Sequence, residues 1–233
     1  MPAATDESSF SYRALRLSIG LLGLLLPLFL AAGTGFQPMT SVSDYYYTNM
    51  RDLFVGVLFF LTLFLAFYRP YNRPERNDGF IDTAIALVSA VAAGLLALFP
   101  TYNATLQHVP NGLVLNFVSG PLSGTLHNLG SGVLFTAFAI MSIFVFTQTG
   151  VDKNGKRIKA KGLKLVRNIL YIVFGLGILA CIGSIGWGVA TAPNQAAIDK
   201  MVIFGPEATA LVLFGLSWLV KGAAFPFLND RRS

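Results

Sequence analysis

The chain has 233 residues, 54% of them hydrophobic and only 12% charged, and its mean hydropathy of +0.63 lies far above that of water-soluble globular domains. This excludes a cytosolic enzyme. Its single cysteine, Cys181, excludes an internal disulfide, an iron–sulfur cluster and a cysteine-built zinc site.

A helix needs about 20 mostly apolar residues to cross a hydrocarbon core of roughly 30 Å. Long apolar runs predict six such helices at 15–32, 53–68, 80–99, 127–146, 169–190 and 206–225, forming one polytopic all-α domain, a six-helix bundle. No run alternates with period two over ten residues, so a membrane barrel is not expected. The first run follows Arg13 and Arg16 and ends in small residues, as a secretory signal does, but Asp6 and Glu7 fit a signal poorly and a retained span is expected. The second opens at Arg51 and Asp52, with Asn49 as the expected cap and Asp52 completing a capping pair. Asp82 falls in the first turn of the third, where a carboxylate favours the positive helix pole.

A Gly/Pro-rich loop, VSGPLSGTLH, leads into the fourth run at His127, and Ser123 would share a helical face with that histidine if the preceding turn is helical. The basic stretch 151–164 precedes the fifth run; without interleaved aromatics it reads as an orientation signal, and no nucleic-acid partner is expected. Glycines 175, 177, 183 and 186 read as close helix contacts. The sixth run starts at Pro206 and Glu207, and Lys221 near its end is expected to extend its ammonium to headgroups.

Lys and Arg collect on the cytoplasmic side of short loops. Fifteen of the 17 fall on one face of the predicted hairpins, and Arg51 and Lys200 on the other, which predicts both termini in the cytoplasm. Tyr45, Tyr46, Tyr47, Tyr68, Tyr102 and Trp187 fall near the predicted interfaces, where amphipathic rings settle.

Ionisable groups at a membrane rim need a partner, water or a function. Arg51 is the most anomalous, a cation at the helix pole that disfavours it and on the side the orientation signal avoids. Asp44, Asp52, Glu207 or a lipid phosphate would compensate it. The second, fourth and sixth spans all enter from outside, so Arg51, Asp52, His127 and Glu207 are expected to converge at the external rim, with Ser123 and Asp44 close by. Such a cluster would hold an anionic or zwitterionic lipid headgroup, or another small polar ligand, without turnover. A metal-dependent lipid hydrolase using His127 and carboxylates is one alternative, with His108 as the second histidine. A scaffold or assembly subunit, binding a membrane-protein partner or a second copy, is another. No cofactor is called for, since nucleotide-binding and hydrolase motifs are absent. Asn103 opens a glycosylation tripeptide in an external loop.

The stretches SVSDYYYTNMRDLFVG, ALFPT, LHNLGSGVLF and GLSWLVKG resemble those of small bacterial multi-pass membrane proteins, which in turn resemble the six-helix DRAM-like proteins (damage-regulated autophagy modulators). The resemblance implies a six-helix bundle in the bacterial inner membrane and a role in membrane or lipid homeostasis, and supplies no catalytic residues. Ser123 and His127 also match the S-x-x-x-H half of the alkaline ceramidase and adiponectin-receptor hydrolases, whose second, histidine-rich half is missing here.

Overall fold

The computed structural model describes residues 4–37, 39–68, 79–102, 120–150, 152, 154, 156–199 and 202–229. Among these residues the chain is helical and has no strand. The helices are α1 (Ala4–Gly33), α2 (Arg51–Phe67), α3 (Gly79–Leu98), α4 (Pro121–Ile140), α5 (Gly162–Thr191), the short α6 (Gln195–Asp199) and α7 (Phe204–Lys221). A 3-10 turn, Val42–Tyr47, joins α1 to α2, and a π-turn, Met141–Val145, prolongs α4. Four segments are long and apolar enough to cross a membrane: Tyr12–Gly33, Phe80–Leu98, Pro121–Val145 and Gly162–Thr191.

α4 starts six residues before the expected His127, because Pro121 occupies the first helical turn, where a missing N–H costs nothing. α5 likewise begins ahead of its apolar run and carries Lys164 and Arg167 in its first turns.

α1 and α7 pack antiparallel along a seam of small residues. A Cβ on Gly20 would meet Leu219 at 2.7 Å, one on Gly23 would meet Phe214 at 2.7 Å, and one on Gly215 would meet the Leu24 backbone at 2.5 Å. Close backbone approach is how helices gain dispersion energy where lipid already matches the apolarity of the interface. Gly175 lies against Ile143 and Ala139 in the same manner, and Gly130 against Leu95 and Leu96. Gly183 and Gly186, in contrast, face open space, so the expectation of close contact holds for Gly175 and Gly177 but not for these two.

The core centres on Trp218, which is 1% exposed. Its indole meets Phe64, Tyr68, Phe146 and Phe214 at centroid separations of 5.1–6.1 Å, mostly edge to face, the arrangement favoured by ring quadrupoles. Phe138 stacks on Phe214 at 3.8 Å. Tyr45, Tyr46 and Tyr68 are therefore core residues, each at most 2% exposed, whereas Tyr102 and Trp187 are exposed as interface residues would be.

Two expected polar roles are corrected. Asn49 does not cap α2: its amide donates to the Gly33 carbonyl (3.2 Å), closing the end of α1, and Met50 occupies the cap position without a side-chain bond. Asp52 is exposed on the first turn of α2. Lys221 does not reach outward; its ammonium turns in toward the Phe146 carbonyl (3.5 Å) and lies 5.2 Å from the Phe146 ring centroid.

Candidate functional site

The polar cluster is built on the turn between α1 and α2. Ser41 and Asp44 form a capping box: the Ser41 hydroxyl accepts from Ser43 N–H (3.0 Å), and the Asp44 carboxylate accepts from Ser41 N–H (3.1 Å). This S-x-x-D pattern winds the turn and buries residues 41–46 instead of leaving them in a surface loop. The Thr40 hydroxyl also donates to Asp44, while the Thr40 carbonyl accepts from Ile203 and Phe204 N–H at 2.7 and 2.8 Å, stitching the turn to the start of α7.

Glu207, in the first turn of α7, is 7% exposed. Its Oε2 accepts from the Ser41 hydroxyl and from Val42 N–H, both at 2.7 Å, the short distances of charge-assisted bonds. His127 enters from α4. Its Nδ1 lies 2.7 Å from the Phe99 carbonyl and its Nε2 2.8 Å from the Ser43 hydroxyl. Because a carbonyl can only accept, Nδ1 carries the proton, and in the neutral ring Nε2 accepts from Ser43. Ser123, one turn earlier on the same face, donates to the Pro100 carbonyl (2.9 Å). Ser123 and His127 thus satisfy successive carbonyls at the end of α3, groups that no intrahelical donor reaches.

Burial raises the Asp44 carboxyl above its ordinary range, opposed by the bonds from Thr40 and Ser41. The Tyr47 phenol, which donates to the Thr101 carbonyl, is pushed up to about 12 by burial and by its neighbours Tyr46, Asp44 and Tyr102.

Above this network lies a cavity of about 360 Å³. Thr40, Ser41, Ser43, Asp44, His127 and Glu207 form its polar floor, with Asn128 and Ser131 from α4; Phe135, Ile182, Ile185, Val189, Ile198 and Ile203 give it an apolar wall, and Gly186 leaves that wall open. Neither Lys nor Arg lines it among the described residues.

Of the six expected site residues, Asp44, His127 and Glu207 are brought together through the 41–44 segment and line the cavity, whereas Ser123 bonds the Pro100 carbonyl beside His127 and does not line it. Arg51 and Asp52 do not line the cavity. Arg51 stacks its guanidinium 4.6 Å from the Tyr46 ring centroid and donates to the Tyr46 hydroxyl (3.0 Å), so an aromatic face supplies part of the compensation expected from a carboxylate or phosphate. Ser41 and Ser43, which connect Glu207 to His127, were not among the expected residues; the capping-box spacing at 41–44 was the available signal. His108 and Asn103 lie outside the described residues. Among those described, no group of three His, Cys, Asp or Glu side chains is placed to hold a metal.

No family model, curated protein or solved structure matches the chain.

Proposed function

We propose that this is a six-span integral membrane protein with both termini cytoplasmic, and that its external cavity holds the ammonium- or hydroxyl-bearing headgroup of a zwitterionic lipid, without chemical turnover. The observation that carries this reading is the two-sided lining: carboxylates and hydroxyls below, branched aliphatic residues of α5 beside them, and no cation at the rim among the described residues. A lipid has the same division, a polar head and an apolar body. A phosphate-first mode of binding through Arg51 is disfavoured, because that guanidinium is stacked on Tyr46 away from the lining.

Two further spans are supported by length and packing. α2 and α7 are about 26 and 27 Å long at 1.5 Å per residue, and α7 runs alongside α1 from Gly23 to the Arg13 contact with Gly222. The resemblance to DRAM-like proteins belongs to the same proposal. Orientation is testable by labelling. In a Cys181→Ser background, Lys159→Cys should resist a membrane-impermeant maleimide in intact cells and react after lysis; reaction in intact cells would reverse the topology.

Binding is tested with the full chain in nanodiscs. Phosphatidylethanolamine should be retained over phosphatidylglycerol at this cavity, and Gly186→Phe, which fills open space in the lining, should weaken retention about tenfold. Gly183→Phe, also facing open space but outside the lining, is the control. Equal retention of both lipids, with identical behaviour of the two variants, would remove the headgroup site.

One observation favours a second reading, a lipid hydrolase. Ser43 and His127 are in nucleophile-to-base contact, and the base is oriented by Phe99. Against it, Val42 N–H and Ser43 N–H already donate to Glu207 and Ser41, so neither is free to stabilise an oxyanion. Turnover of an acyl ester that Ser43→Ala abolishes would replace binding by catalysis.

A further inference from the structure

At the opposite end of the bundle, where α1 begins and α7 ends, five cations from three helices surround one cavity of about 610 Å³: Arg13 and Arg16 from α1, Lys164 and Arg167 from α5, and Lys221 from α7. No carboxylate lines it among the described residues. Asp82, whose charge reaches Lys221, stands outside the lining and accepts from Gln148.

These cations are oriented by backbone carbonyls. Arg13 donates to Gly222 (3.3 Å) and Ala223 (3.2 Å), Arg167 to Leu228, and Lys164 to Phe146 (3.2 Å), the same carbonyl that Lys221 approaches. Arg16 bonds the Tyr68 side chain, but its Nε is buried and has no hydrogen-bond partner, a condition that costs stability unless something supplies an acceptor. Gathering five basic side chains around one space concentrates positive potential there, and an anion in it can accept from several donors at once.

We propose that this cavity is a binding site for a phosphate-bearing anion, with Arg16 and Lys221 as its inner contacts and Arg13, Lys164 and Arg167 at its rim. Guanidinium groups match phosphate oxygens with paired donors, and basic pockets between spans at a membrane face take anionic headgroups. The anion is either the headgroup of an acidic phospholipid or a soluble phosphate. The site does not depend on the headgroup cavity at the other end, and the two differ in the sign of charge they select.

The test uses the full chain. In mild detergent, phosphatidylglycerol or pyrophosphate should raise the melting temperature of the wild-type protein, and phosphatidylcholine should not. In nanodiscs doped with phosphatidylglycerol, the double variant Arg16→Gln/Lys221→Gln should lose affinity at least about tenfold. Lys159→Gln/Lys161→Gln, with the same change in net charge at exposed positions outside the lining, should lose little. Displacement of phosphatidylglycerol by millimolar pyrophosphate would assign the site to soluble phosphate, and resistance to it would assign the site to the lipid. Equal losses in the two double variants would reduce the effect to general surface charge and overturn the proposal. So would the absence of stabilisation of the wild type by either anion, a result that needs no variant to fold.

Discussion

Trp218→Ala is expected to lower stability by about 3–5 kcal/mol, the range for deleting a large buried aromatic side chain. Four rings close on this indole: Phe64 and Tyr68 from α2 and its end, Phe146 after the π-turn, and Phe214 one turn earlier on α7. In lipid, the gain from leaving water is not what holds the helices together, so the loss is one of dispersion contacts and of a cavity the rings cannot close. Reversible unfolding in mixed micelles measures it. Trp187→Ala provides the contrast, since that indole is 73% exposed and an exposed substitution is worth about 0.5 kcal/mol or less. Similar small effects at both positions would show that the aromatic cluster collapses freely and does not define the core.

Glu207 gives the second large effect, and here the pair of substitutions matters more than either alone. Glu207→Ala removes the acceptor for the Ser41 hydroxyl and Val42 N–H. Two buried donors are left without partners at about 1–3 kcal/mol each, so a loss of roughly 2–6 kcal/mol is expected. Glu207→Gln keeps an oxygen that can accept from both and should recover most of that stability. If glutamine is as damaging as alanine, the charge itself holds the turn; if alanine is harmless, the turn stands without α7. Headgroup retention separates the roles further, because glutamine keeps the floor in place while removing a negative charge from it, and ammonium binding should fall although the fold survives.

The positions of the apolar helices were legible because membrane crossing is a matter of length and composition, which single residues barely disturb. Their ends were less so. The glycine and proline before His127 suggested a loop, yet Pro121 is a helix-starting residue, and Lys164 and Arg167 belong to a helix that simply continues past its apolar part. The site was legible in its ionisable members, since a buried glutamate or histidine is conspicuous in an apolar chain. What escaped was the part made of small hydroxyls. Ser41 and Ser43 look ordinary in sequence and become decisive only because the capping box buries them between Glu207 and His127. The Tyr46 face beside Arg51 was not legible either, because a charge in an apolar chain points to a counter-charge and a stacked ring leaves no mark in the spacing.

The glycine seam between α1 and α7 carries a consequence for biogenesis. Arg13 reaches Gly222 across 209 residues of sequence, so α1 must wait for α7 to be made before this seam can close. During that interval Gly20 and Gly23 lack the Leu219 and Phe214 side chains that fill the notch above them. A truncation ahead of Gly215 would therefore leave α1 held only by its lesser contacts with α2 and the 42–47 turn.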